Sequence, residues 1–504
     1  MRLHKYSTTP MDGLLIKNGQ VVDPLNAERF VRRNVHVRNG KISGAPANTP
    51  LVIDAENCVV MAGGIDVHTH VADYSLNGDA AVRTRMTSTG LRYAQMGYTT
   101  IIEPASPLAL ASVTKERMEM IPQVDKGSLA LLGAWEPLLR FIERGKDKDI
   151  AELVSWIARK AGAYSVKLVN PGGKFLKNSG GSSAMRRLEG FDLTPMDVAN
   201  AIARAVETSG LPCPVQLHLN DLGEPWSHTS AIETIKGLGE TRAHLAHLQF
   251  HCYGGRGGFS SEAGLVADAF NSSPNLTADI GQIVFGKTVT ITADERLGEK
   301  LDLITNGAGR KVGVGFGETC YCVPYDYRPE SAVNAVQWAC GLELALSIDD
   351  PSRIFISTDH PNGGPFTAYP LIIRLLMDKG FRDDELARIH TEAAKRTGLG
   401  SIKRTFDLYD IAEMTRSGPA KFLGIANRKG NLKPGSDADI AIYEKQDDIE
   451  EMFAKPAWVI KSGEVIVKDG KTVAEVSGEI LRYNPSEGIE EPPVEIVKWI
   501  EGHI

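Results

Sequence analysis

Residues 59–70 read Val-Val-Met-Ala-Gly-Gly-Ile-Asp-Val-His-Thr-His, an apolar run that ends in His68-Thr69-His70. In an extended segment side chains two residues apart point the same way, so both imidazoles project from one strand end toward one point. Two nitrogens so placed offer two ligands to one metal ion, and the C-terminal end of a barrel strand is a familiar seat for catalytic zinc.

Seven further apolar, β-branched runs follow. With 64–70 they are 98–105, 129–135, 163–169, 214–220, 242–248, 276–284 and 354–360. Between them lie stretches such as 148–161, 195–209, 259–271 and 330–348, whose apolar residues recur every three or four positions, as in helices packed on one face. Eight strands alternating with helices predict an α/β chain folded as a (β/α)8 TIM-like barrel over 61–430. The interval 285–330 is too irregular for one helix and reads as a long insertion over the active-site face.

The flanks have a different texture. Residues 1–60 hold short β-rich pieces with Asn-Gly at 18–19 and 39–40, both hairpin signals, and similar text returns at 435–443 and 457–471. A small β-sandwich is therefore expected from both termini, 1–60 with 431–475, followed by a tail over 476–504. The tail carries Pro485, Glu490-Glu491 and Pro492-Pro493, then Val494-Glu-Ile-Val-Lys-Trp-Ile500, a segment suited to docking on a partner or packing on its own barrel.

The 504 residues, 42% of them hydrophobic, are enough to bury a large core. A net charge of −7 argues against a nucleic-acid partner. No long apolar segment follows Met1-Arg2-Leu3-His4-Lys5, so neither a signal peptide nor a membrane span is expected, and cytoplasmic residence follows. The six cysteines form no paired spacing of a disulfide framework or iron–sulfur site. Neither Gly254–Gly258 nor Gly313–Gly317 opens a nucleotide-binding unit, and both read as active-site loops.

Placed on the predicted strands, the ionisable residues fall into register. His68 and His70 end the first, Lys167 lies in the fourth, His218 in the fifth, His247 in the sixth, and Asp359 near the end of the eighth. Nitrogen and oxygen donors converging on one barrel mouth are what a dinuclear metal site needs. His247 is preferred to His244 or His251 because it falls at the strand end.

These features, with the split β-domain and Gly435-Ser-Asp-Ala-Asp-Ile440, resemble the amidohydrolase superfamily over about residues 13–470. A closer resemblance, to the family of catalytic A subunits of formylmethanofuran dehydrogenase and formyltransferase/hydrolase complexes, rests on four longer strings. They are Val169-Asn-Pro-Gly-Gly173, His244-Leu-Ala-His-Leu-Gln-Phe-His-Cys-Tyr-Gly-Gly255, Asn334-Ala-Val-Gln-Trp-Ala-Cys-Gly-Leu-Glu-Leu-Ala-Leu346 and Thr358-Asp-His-Pro-Asn-Gly-Gly-Pro-Phe-Thr367.

The resemblance implies two zinc ions: His68, His70 and Asp359 on the first, His218 and His247 on the second, and a carboxylated Lys167 bridging them. It makes Asp359 the proton-transferring catalytic residue and Asn170, His251 and Asn362 candidate substrate contacts, with Lys174 and Lys177 suited to the acidic tail of a carrier. It further implies hydrolysis, or reversible formation, of the N-formyl amide of a furfurylamine carrier (formylmethanofuran or formylmethylofuran), by one subunit of a larger complex. A free-standing hydantoinase-like or N-acyl amino acid hydrolase, and an inactive scaffold subunit, are the alternatives on the same fold.

Overall fold

The computed structural model describes residues 13–48, 50–72, 85–177, 181–315, 318–484 and 492–502. The N-terminal segment and Pro485, Glu490 and Glu491 of the tail lie outside them, as do Phe316 and Gly317.

Eight strands form the central ring: β1 (Gly64–Asp66), β2 (Tyr98–Ser106), β3 (Asp125–Leu132), β4 (Ser165–Val169), β5 (Gln216–His218), β6 (Ala243–Leu245), β7 (Leu276–Asp279) and β8 (Ile354–Phe355). Each pairs in parallel with the next. The ring closes beyond β1 and β8, where Thr69 bridges His360 in parallel and the His70 N–H donates to the His360 carbonyl at 2.8 Å. All eight expected strands are present. β1 stops at Asp66 and leaves both histidines in the closing segment, because side chains take over part of the backbone pairing there. Asp66 Oδ1 accepts the His68 N–H at 3.0 Å, and Ser357 Oγ donates to the His68 carbonyl at 2.8 Å.

The outer helices follow from local chemistry. Pro195–Thr208 starts with a reciprocal box between Thr194 and Asp197 and a proline in its first turn. Asp147–Ala161 ends on Gly162 at φ 62°, a left-handed conformation that a β-carbon would strain. Both turn apolar faces inward, including Ile150, Leu153, Val154, Val198 and Ile202, into one large cluster with the barrel.

After β7 the chain departs from strand–helix alternation. Gly286–Thr292, Arg310–Gly315 and Glu318–Tyr327 form a three-stranded antiparallel sheet that carries the helix Glu295–Ile304. This is the expected insertion, and it roofs the C-terminal mouth.

Both ends of the chain build the second layer system. A four-stranded sheet contains Lys41–Ser43, Val35–Arg38, Leu14–Lys17 and Leu51–Asp54, and a seven-stranded sheet sets Cys58–Ala62 beside Ile440–Glu444. Ile16, Val35, Ile53, Val60, Ile440 and Ile460 meet in one core between them. Asn39-Gly40, with φ 51° and 73°, makes the expected two-residue hairpin. Asn18-Gly19 does not: Leu14–Lys17 belongs to the four-stranded sheet and Gln20–Asp23 to the seven-stranded one, so the turn is a corner between layers.

In the tail, Ile480–Leu481 adds in parallel to the start of β3. Helix Val494–Glu501 buries Ile496 and Ile500 in the barrel cluster, and Glu501 reaches Lys160 at 3.3 Å. The apolar face offered in the sequence for a partner is thus turned onto the chain itself. All six cysteines are buried and unbridged. Among the described residues no helix is long and apolar enough to cross a membrane.

Candidate active site

The strand ends bring the sequence-predicted donors together. His68 Nε2 lies 3.0 Å from Lys167 Nζ and 3.0 Å from Asp359 Oδ1, and His70 Nε2 lies 3.2 Å from the same carboxylate oxygen. On the far side His218 Nδ1 and His247 Nε2 face each other at 3.0 Å. The His68 and His247 rings stand 5.2 Å apart, so the two sets adjoin. All six side chains are buried.

Local backbone explains the placement. His218 is the last residue of β5, whereas His247 lies two residues past β6 at φ 35°. A β-carbon at Gly281 would come within 2.4 Å of His247 Cβ, so that glycine makes the room. His244 points away, stacked on Phe422 at 4.3 Å with Nδ1 3.0 Å from Thr277 Oγ1. His251 is wholly buried behind the cluster, 5.8 Å from the His247 ring, and burial brings its pKa down to about 3.

The electrostatics follow from burial and neighbours. Burial pushes His218 and His247 well below the usual histidine range. Burial would raise the Asp359 carboxyl, but His68 and His247 more than offset it and hold it well down. His68 is raised: burial favours its neutral form, yet Asp279, and with it Asp359, outweighs burial.

These groups test whether a metal fits. Asp279 Oδ2 lies 2.8 Å from His68 Nδ1; in the neutral imidazole with its proton on that nitrogen, Nε2 would turn a lone pair toward Asp359 Oδ1 and Lys167 Nζ, each 3.0 Å away. In that form imidazole nitrogens and a carboxylate oxygen converge as electron-pair donors, a set that fits a divalent metal ion. His68, His247 and Asp359 place one ligand atom each within 4.8 Å of one another.

A cavity of about 240 Å³ opens over this floor, walled by Phe250, Phe259, Ile291, Leu297 and Tyr325. His70, Lys167, His218, His247 and Asp359 all reach it. Leu131, Val169, Ala293, Val314 and Cys320 also border a second cavity of about 350 Å³, lined by Asn170, Lys174, Lys177, Arg186 and Asn220. Asn362 stands in the first wall with its amide engaged at both ends, donating to Asp359 Oδ2 at 2.8 Å and accepting the Ile291 N–H at 2.6 Å. Lys177 pairs with Glu189 at 3.1 Å in the exposed rim of the second.

Three acidic residues escape a reading of the sequence. Asp279 ends β7; Glu103, in β2, has Oε1 3.3 Å from His70 Nδ1; and Asp66 carries hydrogen bonds from Tyr93 and Tyr369. The available signal was position: Asp66 and Asp279 end their strands, by the same rule that finds His218, and Glu103 lies in the last half of β2.

A sequence model of the amidohydrolase family matches residues 51–474. The FwdA protein of Methanocaldococcus jannaschii is 36% identical, over 93% of this chain and 90% of its own. In Methylorubrum extorquens, the A component of the formyltransferase/hydrolase complex Fhc is 37% identical, over 92% and 90%. The crystal structure of that organism's FhcABCD complex with methylofuran contains a chain that superposes with a TM-score of 0.89 at 35% identity, covering 97% of this chain and 94% of that one. A match running from the first sheet through the barrel to the last hairpins leaves one conclusion: the chain belongs to the amidohydrolase family, in the group that includes FwdA and the Fhc A component.

Proposed function

We propose that this chain is the hydrolytic subunit of a cytoplasmic complex acting on a formylated furfurylamine carrier, cleaving the N-formyl amide to formate and free amine or forming it in reverse. One observation carries the reading: two adjacent donor sets floor an apolar chamber that borders a polar basin, where Lys174, Lys177, Arg186 and Arg296 stand among Asp221, Asp294 and Glu295. The chamber has the size and lining for a small ring with its amide, and Lys174, Lys177 and Arg186 suit an acidic tail. The relatives' names, a component of a formyltransferase/hydrolase complex and a complex with methylofuran, support both the substrate class and companion subunits.

In this reading His68, His70 and Asp359 would hold one zinc ion and His218 and His247 a second. The neutral Lys167 amine, 3.0 Å from His68 Nε2, would add carbon dioxide and release a proton to solvent, giving a carbamate whose oxygens would serve as anionic ligands between the two donor sets. Bound zinc supplies a water of near-neutral pKa and polarisation of the amide carbonyl. The chain's own groups do the rest. Asp359 accepts a proton as water attacks the formyl carbon and returns it to the departing nitrogen. Asn362 holds that carboxylate, and Ile291 and Tyr325 of the roof sheet wall the chamber. His251, behind the cluster, acts by packing and not by touching substrate.

Formate release by the zinc-loaded chain, measured on an N-formyl furfurylamine beside a hydantoin, tests the proposal. Turnover of the formyl amide is the expected result; ring opening of the hydantoin with the formyl amide untouched would transfer the chain to the cyclic-amide hydrolases.

A further inference from the structure

Behind the first-strand histidines stand two buried carboxylates with different reach. Glu103 Oε1 lies 3.3 Å from His70 Nδ1 and accepts the Ala105 N–H at 3.2 Å, while Oε2 accepts the Ala72 N–H at 2.7 Å. Every one of these contacts belongs to the His68–His70 side. Asp279 reaches both sides: Oδ2 sits 2.8 Å from His68 Nδ1, and Oδ1 accepts the His247 N–H at 3.0 Å. It is anchored from below by His244, whose Nε2 is 3.0 Å from the same Oδ2. The His244 ring is clamped against Phe422 and Phe355, at 4.3 and 5.5 Å, with Thr277 at its other nitrogen.

We propose that Asp279 is a positioning residue that couples the two halves of the metal site, whereas Glu103 serves one half alone. A carboxylate only accepts hydrogen bonds, so the one side chain fixes which nitrogen of His68 faces the centre and, through the backbone, where His247 stands. His247 needs such a tie because its left-handed backbone is strained for a residue with a β-carbon. The inference rests on the two-ion reading above and adds to it that the ions bind as a linked pair.

The test titrates the metal-stripped full-length chain with Zn2+ alone, counting bound ions by atomic absorption and affinity by competition with a chromophoric chelator. Co2+ absorption provides a record of ligand geometry. Asp279→Asn is expected to weaken both ions by about 10- to 100-fold, and Glu103→Gln only one of them. Wild-type affinity for both ions in Asp279→Asn, or a loss confined to one, overturns the proposal. Should Asp279→Asn show no thermal unfolding transition, Thr277→Val keeps every donor and loosens only His244. It is expected to weaken both ions equally, and an unequal loss or none overturns the proposal. Failure of the hydrolase reading looks different: a wild-type chain that binds two ions and leaves the formyl amide intact.

Discussion

Two groups of buried charges occupy opposite ends of the barrel. At the C-terminal mouth, Asp359, Lys167 and the histidines face a cavity. At the other end, where β3 begins, Asp125 meets Asp437 and Asp439, and these three also bring carboxylate oxygens within 4.8 Å of one another. Here two buried lysines, and among the described residues no histidine, meet the carboxylates. Lys429 reaches Asp439 at 2.7 Å and Asp437 at 2.9 Å, Lys461 reaches Asp125 and Asp439 at 3.0 Å, and Lys429 also contacts Asp125. Close-set acidic oxygens alone therefore do not identify a metal site. What separates the two is the run of imidazoles in the upper group and the cavity that reaches it. The lower group is a strut joining barrel to sandwich, in keeping with the division of labour between barrel faces.

The sharpest way to break this contrast is Asp359→Asn. We expect turnover to fall by about 10²- to 10⁴-fold, with the thermal midpoint of the metal-free chain nearly unmoved. A large loss of stability with turnover kept would make the upper group a second strut. Lys167→Ala should lower both zinc content and rate to a comparable degree, and Lys167→Arg should rescue neither, since a guanidinium does not form a carbamate; metal analysis beside kinetics decides. At the other end, Lys429→Ala leaves three carboxylates sharing fewer cations. A loss of about 3–5 kcal/mol in denaturant unfolding is expected, with the rate per folded molecule unchanged. An altered rate there would join the two ends functionally.

The smallest effect concerns a carboxylate that has neither arrangement. Glu413 is partly buried, and burial, then Asp350 and Asp410, push its pKa up to about 7 from 4.5. The folded chain thus binds that proton more tightly than the unfolded chain. Its contribution is fully present below pH 4.5, declines as pH rises toward 7, and is constant above. Glu413→Gln should flatten this slope, by less than about 1 kcal/mol after allowance for solvent screening, in unfolding curves taken across that range.

The upper group was legible in the amino-acid order because its signals are local: a histidine pair at a strand end, and single donors at the ends of predicted strands. The eight strands were legible for the same reason, as short β-branched runs between periodic segments. Asp279 and Glu103 escaped because an acidic residue near a strand end looks the same whether it faces water or an imidazole. The strut escaped because Asp125 and Lys429 are brought together only by the finished fold. Asn18-Gly19 misled for a related reason: a turn dipeptide specifies a reversal of the chain and not which sheet receives the next strand. The roof could have been read in part from Gly286-Lys-Thr-Val-Thr-Ile-Thr292, a β-branched alternation.

One feature of the sandwich bears on how the molecule is made. Strand Cys58–Ala62, buried at every position, lies between Gln20–Asp23 and Ile440–Glu444 in the seven-stranded sheet. A ribosome adding roughly 5–20 residues per second needs tens of seconds to travel from Ala62 to Ile440. Throughout that interval one edge of an entirely apolar strand has no native neighbour, the situation that invites pairing with another chain. Nascent copies on one message are thus each other's nearest hazard. Yield of the folded protein is then governed by how long that edge waits, so slower translation or a chain stopped before Ile440 favours aggregates even though every residue of the catalytic mouth has already been synthesised.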